Sequence, residues 1–123
     1  MGCSGIRGAT SVPRNGVEEI LHATRTLLER MVAENEIPVS KIVSVIFTAT
    51  PDLDAVYPAR AARDLGWRET PLLCTQDMRV PGSLPHCIRV LMHVNVDRPP
   101  DQLRHVYLGE ARSLRPDWVK EVE

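Results

Sequence analysis

The stretch from His86 to Val96 constrains the fold more than any other, because residue type alternates along it. Ile88, Val90, Met92, Val94 and Val96 fall on one side of an extended ribbon; Cys87, Arg89, Leu91, His93 and Asn95 fall on the other. A period of two marks a strand, and the first set of side chains forms its core face. Arg89 then stands in the middle of the opposite face. An uncompensated buried charge is costly, so this guanidinium either meets water at a surface or lines a binding pocket.

Upstream the period changes. Val17, Ile20, Leu21, Thr24, Leu27, Leu28, Met31 and Val32 recur at three- and four-residue steps, which predicts one amphipathic helix. Asn15 is suited to cap its first turn with Glu18 returning the bond, Asn35 to end it in a left-handed conformation, and Pro38 forbids continuation. Residues 42–48, IVSVIFT, are β-branched and aromatic and predict a buried strand closed by Thr50-Pro51-Asp52. A shorter helix is expected to start with Pro58 in its first turn and to stop at Gly66, with another strand at 71–76. Turns at 80–85 and 97–102 flank the alternating strand, and 104–108 predicts a last strand before a tail from Arg112. Helices and strands mix and the final strands are joined only by turns, so the fold class is α+β, or mixed α/β, in a single domain over 1–123.

At 123 residues the chain is the size of one domain, and a domain this small leaves much of its surface exposed. Self-association is therefore a natural way to complete both core and site. The net charge of -1 provides no broad basic field, which argues against nucleic acid as a partner. Within the cations, however, thirteen are Arg and two are Lys, and Arg grips a carboxylate or phosphate at two points where Lys is a mobile point charge. A genome rich in Arg codons gives the same count, so position must decide. Cys3, Cys74 and Cys87 show no CxxC pair and no zinc-ligand spacing, so neither a disulfide scaffold nor a metal is expected. The start lacks a signal-peptide stretch and the apolar runs are too short to span a bilayer; the chain reads as cytoplasmic, with no membrane partner. No nucleophile triad, phosphate-cradling glycine loop or cofactor motif is present. A reaction that needs neither covalent attack nor a general base would leave only binding groups behind.

Four stretches carry a resemblance: GIRGAT at 5–10, FTATPDLDAVYPARAARDLGW at 47–67, PGSLPHCIRVLMHVNVD at 81–97 and RHVYLGEARSLRPD at 104–117. Together they cover about half the chain, and in their uncommon residue combinations the chain resembles the AroH-type monofunctional chorismate mutases. The resemblance implies a β-sheet core with one long and one short helix, a homotrimer with sites between subunits, and the Claisen rearrangement of chorismate to prephenate on the route to Phe and Tyr, with no cofactor. In that reaction a carbon–oxygen bond breaks as a carbon–carbon bond forms, and no proton moves. An enzyme must hold the enolpyruvyl ether in its compact shape and stabilise negative charge growing on the ether oxygen.

By position, the resemblance implies that Arg89 donates to the ether oxygen and to a carboxylate, and that Arg7 and Tyr107 anchor carboxylates. Arg63 and Arg115 resemble the family's mobile arginines at the mouth. Tyr57 stands where the family has a Phe over the substrate, and Cys74 matches a pocket cysteine that makes contact without attacking. Asp77 stands where the family has Glu facing the substrate hydroxyl; its arm is one methylene shorter, so the same contact needs a backbone shift or a bridging water. Plainer readings compete: Arg7 on the surface of an edge strand, Tyr107 half-buried with a backbone partner, Cys74 an inert core thiol. On the same scaffold a non-catalytic trimeric protein that binds small carboxylates is the functional alternative. An Arg-mediated RNA module is disfavoured by the mild charge and the lack of interleaved aromatics.

Overall fold

The computed structural model describes residues 2–118, so the two ends of the single domain expected over 1–123 lie outside it. Five strands form one sheet: β1 (Ser4–Ser11), β2 (Ile42–Ala49), β3 (Leu72–Gln76), β4 (Cys87–Val94) and β5 (Val106–Leu108), in the order β3-β2-β4-β1-β5. The alternating strand β4 pairs antiparallel with both β1 and β2, whereas β3 and β5 add in parallel at the two edges. Two helices, α1 (Val17–Asn35) and α2 (Ala59–Asp64), carry the chain between parallel strands, as such connections require. This is the mixed α/β architecture expected from the sequence.

One face of the sheet is packed beneath the helices. Ile88, Val90, Met92 and Val94 of β4 are buried there with Val45 and Phe47 of β2 and Ile20, Leu27, Leu28 and Met31 of α1. Burying each such side chain contributes about 2 kcal/mol, so the face that is apolar in sequence dictates which way the sheet turns. β1 did not emerge from periodicity, because apart from Ile6 and Arg7 its residues are small and show no hydrophobic alternation. Its smallness is structural: a Cβ on Gly8 would stand 2.5 Å from Met31 Sδ and 3.2 Å from Leu27 Cδ1, so glycine lets α1 lie close to the strand. Nor is Arg7 on an edge strand, since β1 lies between β4 and β5.

Both ends of α1 depart from expectation. Gly16 is the N-cap, and Asn15 instead reaches the segment before α2, accepting from the amides of Asp54 and Ala55 and donating to the Asp54 carboxylate. At the other end Asn35 remains helical and Glu36 takes the left-handed step, φ 53. The reason is tertiary. Buried Asn35 donates to the carbonyls of Met31 and Arg104 and accepts the Arg104 amide at 2.8 Å, which fixes it in place and ties α1 to the approach of β5. Val17, expected in the apolar stripe, lies at the helix start and is exposed.

Elsewhere the boundaries follow local chemistry. Pro58 caps α2, and Gly66, φ 92, supplies the stop. β5 is shorter than 104–108, because Arg104 and His105 are engaged by Asn35 and Arg7 before the strand begins. After β5 the chain makes short 3-10 turns at Gly109–Ser113 and Pro116–Trp118, so the described part of the tail from Arg112 is built of turns.

Replacing Asn35 with Ala should lower unfolding free energy by about 1–3 kcal/mol, since two backbone groups of Arg104 lose their partner. Urea unfolding at fixed protein concentration measures this; a loss below about 0.5 kcal/mol, typical of a surface change, would contradict it.

Candidate active site

The face of the sheet away from the helices carries Arg7 and Ala9 of β1, Thr48 of β2, Arg89 and Leu91 of β4, and Tyr107 of β5, as strand register and alternation require. Arg89 lies opposite Ala9 on one side and Thr48 on the other, two small neighbours that leave room above the sheet for its long arm. Its counter-charge is Asp77, just past β3. Arg89 Nε donates to Asp77 Oδ2 at 2.8 Å, with the two side chains 28% and 18% exposed. Asp77 is itself held: its amide donates to the Ala49 carbonyl and its Oδ1 accepts the Met78 amide. A guanidinium gripped at Nε is restrained in orientation.

Around this pair a second, smaller apolar cluster forms from Ala9, Cys87, Tyr107 and Ala111, with Leu84 and Leu114 against it. It seats Tyr107, which is buried. Burial pushes the Tyr107 hydroxyl's pKa up, against the pull of the nearby cations Arg7, Arg115 and Arg89. Three guanidinium groups from β1, β4 and the segment after β5 thus gather about one phenol. Arg115 pairs with Asp117 at 3.0 Å, so the local charge is three cations against Asp77 and Asp117. This is a basic patch suited to an anion carrying more than one negative charge.

The remaining predicted residues lie elsewhere. Tyr57, 71% exposed, and half-buried Cys74 help to line a cavity of about 590 Å³ between the β2–α2 loop and β3, with Val56, Pro58 and Gln76. Cys74 pairs in register with buried Phe47, so it points to the helix side of the sheet. Arg63, exposed near the end of α2, is the cation that bears on Cys74. The structure therefore brings together Arg7, Asp77, Arg89, Tyr107 and Arg115 as one group and Tyr57, Arg63 and Cys74 as another. The sheet stands between them.

Neither thiol is prepared for attack. Burial raises the pKa of Cys74, and raises that of Cys87 to about 11 despite Arg89 beside it. No group of three or more His, Cys, Asp or Glu among the described residues could hold a metal, and no helix among them is long and apolar enough to cross a membrane. Sequence reasoning passed over one residue at the site, His105. Its Nδ1 accepts the Arg7 amide at 2.9 Å, and without metal-ligand spacing nothing in the sequence singled it out.

Residues 3–118 match the family described as chorismate mutase type I. The chain is 52% identical over 114 residues to the chorismate mutase AroH of Bacillus subtilis (strain 168), across 92% of this chain and 90% of that one. It is 50% identical over 114 residues to the chorismate mutase AroH of Thermus thermophilus, across 92% and 93%. The solved structure of the chorismate mutase from Clostridium thermocellum is similar with a TM-score of 0.88 at 48% identity, covering 89% of this chain and 98% of that one.

Alkylation tests the thiol environments. With iodoacetamide at pH 7.5, exposed Cys3 should react first and Cys87 only after unfolding, since a pKa of about 11 leaves roughly one thiolate in a few thousand. Peptide mass spectrometry reads the order; labelling of Cys87 in the folded protein as fast as Cys3 would contradict it.

Proposed function

The chain belongs to the type I chorismate mutase family, and from that premise we propose that its two groups of residues meet only across a subunit boundary, closing a cleft around chorismate. The protein catalyses the rearrangement of chorismate to prephenate. The observation that carries the proposed site is the division of its residues between opposite faces of one sheet. Arg7, Arg89 and Tyr107 supply the carboxylate-binding side, and Tyr57, Arg63 and Cys74 of a neighbouring copy supply the wall.

A contact in which one face of a copy meets a different face of the next is heterologous, and such contacts form a ring when the rotation between copies closes. Three copies make the ring proposed here. Support comes from the uncovered sheet face, where Ile46 and Leu91 are only partly buried, Leu73 is 60% exposed, and Met78 and Val80 beyond β3 are 80% and 52% exposed. Leu73, Ile46 and Leu91 are neighbours in register across three strands, and an exposed apolar row of this kind is a candidate for contact with another copy.

The reaction asks the residues to bind and polarise. Arg89 donates from its terminal nitrogens to the ether oxygen of chorismate and to a carboxylate, and its benefit grows as the carbon–oxygen bond lengthens and charge collects on that oxygen. Asp77 holds Arg89 at Nε so that this donation is already directed before substrate arrives. Its shorter arm, compared with Glu, serves that grip; a contact to the substrate hydroxyl passes through water. Arg7 and Tyr107 fix a carboxylate, Arg63 and Arg115 capture and close at the mouth, and Tyr57 and Cys74 press the ether into its compact conformer. Electrons move within the substrate alone, so neutral thiols at Cys74 and Cys87 are what the chemistry permits.

Arg89→Lys keeps a charge and loses the fork, so kcat for loss of chorismate absorbance should fall by about a hundredfold or more. Near wild-type turnover would remove Arg89 from the mechanism. Subunit mixing tests the shared cleft. Arg89→Ala and Arg63→Glu proteins, each impaired alone, should regain activity when unfolded together and refolded, because about one cleft in four then receives both intact halves. If the mixture is no more active than the average of its parts, each site is built within one subunit.

A further inference from the structure

The parallel pairing of β5 with β1 begins at Val106 and Gly8, so one step upstream His105 lies beside Arg7. There the Arg7 amide donates at 2.9 Å to imidazole Nδ1. A backbone N–H can only donate, so Nδ1 must be the unprotonated nitrogen and the ring carries its hydrogen at Nε2. His105 is half-buried and lies two residues before Tyr107, beside the basic patch but outside the catalytic assignments made above.

We propose that His105 is a positioning residue: by accepting at Nδ1 it holds the β1 backbone where the Arg7 guanidinium reaches a substrate carboxylate, and it releases that hold when protonated. The proposal rests on the reading that Arg7 anchors a carboxylate. Among the described residues, the cations that bear on the ring are Arg7 from β1 and Arg115 from the segment between the two 3-10 turns, the latter paired with Asp117. Burial first, and then these two cations, lower the His105 pKa from its ordinary value of 6.5. The neutral acceptor therefore prevails at pH 7. Below 6.5 the sign is fixed: a group whose folded pKa is lowered loses its contribution as pH falls through that value, because a protonated ring sets an N–H against an N–H.

Steady-state kinetics with chorismate on the intact protein test this. His105→Ala should raise KM by about tenfold with a smaller change in kcat, since the anchor is displaced while the group beside the ether oxygen is not. His105→Asn, whose amide oxygen can stand in for Nδ1, should recover most of that loss. In an Arg7→Ala background His105→Ala should add less than about twofold, as coupled residues require. The wild-type KM should rise between pH 7.5 and 5.5, and that of His105→Asn should stay level. A merely structural role predicts the reverse, a lower kcat from lost active protein at unchanged KM and the same loss with or without Arg7; either result overturns the proposal. So does a wild-type KM that falls in acid, the outcome if added positive charge outweighs the lost hydrogen bond. Should His105→Ala fail to fold, the comparison of wild type and His105→Asn across pH decides alone. An Arg7→Ala protein with unchanged KM would refute the anchor reading itself, and the proposal with it, whereas a raised KM there with none in His105→Ala refutes the proposal alone.

Discussion

A guanidinium set in the middle of a five-stranded sheet is the constraint on which the rest depends. β4 can be paired on both sides only if its apolar residues face the helices, and that orientation commits Arg89 to the opposite face. A slip of one residue in register would drive the charge into the core. The surroundings answer this demand at several levels: small neighbours at Ala9 and Thr48, a carboxylate at Asp77 that is itself fixed by backbone contacts, and an open face where an anion can approach.

Chemistry without proton transfer or covalent attack explains why the site is made of donors. Elsewhere a cysteine next to an arginine would be suspected of nucleophilic work, yet Cys87 is held neutral by burial. The charges here instead form a field, cationic in sum, beside a buried phenol and a small apolar cluster. In the function proposed for it, such a field acts on the charge that develops between bond breaking and bond making.

Much of the architecture could be read from residue order. The period of β4, the stripe of α1, the apolar run of β2 and the Pro58 and Gly66 limits of α2 are local signals, and local interactions realise them. What escaped was tertiary. β1 is built of small residues whose reason lies in a helix distant in sequence, and Asn15 and Asn35, each with the chemistry of a cap, are diverted to partners 39 and 69 residues away. At the site, Arg89 announced itself by breaking the pattern of its strand. The roles of Arg7, Tyr57, Arg63, Cys74, Asp77, Tyr107 and Arg115 entered through resemblance, because no periodicity distinguishes a binding arginine from a solvated one. Their separation onto two faces follows from strand register, which no single stretch of sequence encodes.

The bare backbone at Gly8 sets α1 and the basic patch on two sides of one thin ribbon. Met31 presses on that ribbon from the helix side, and Arg7 projects from the other side one residue away. Added bulk in the greasy interior at this point presses on the strand that carries Arg7, so how much change the interior tolerates here is coupled to where that charge stands.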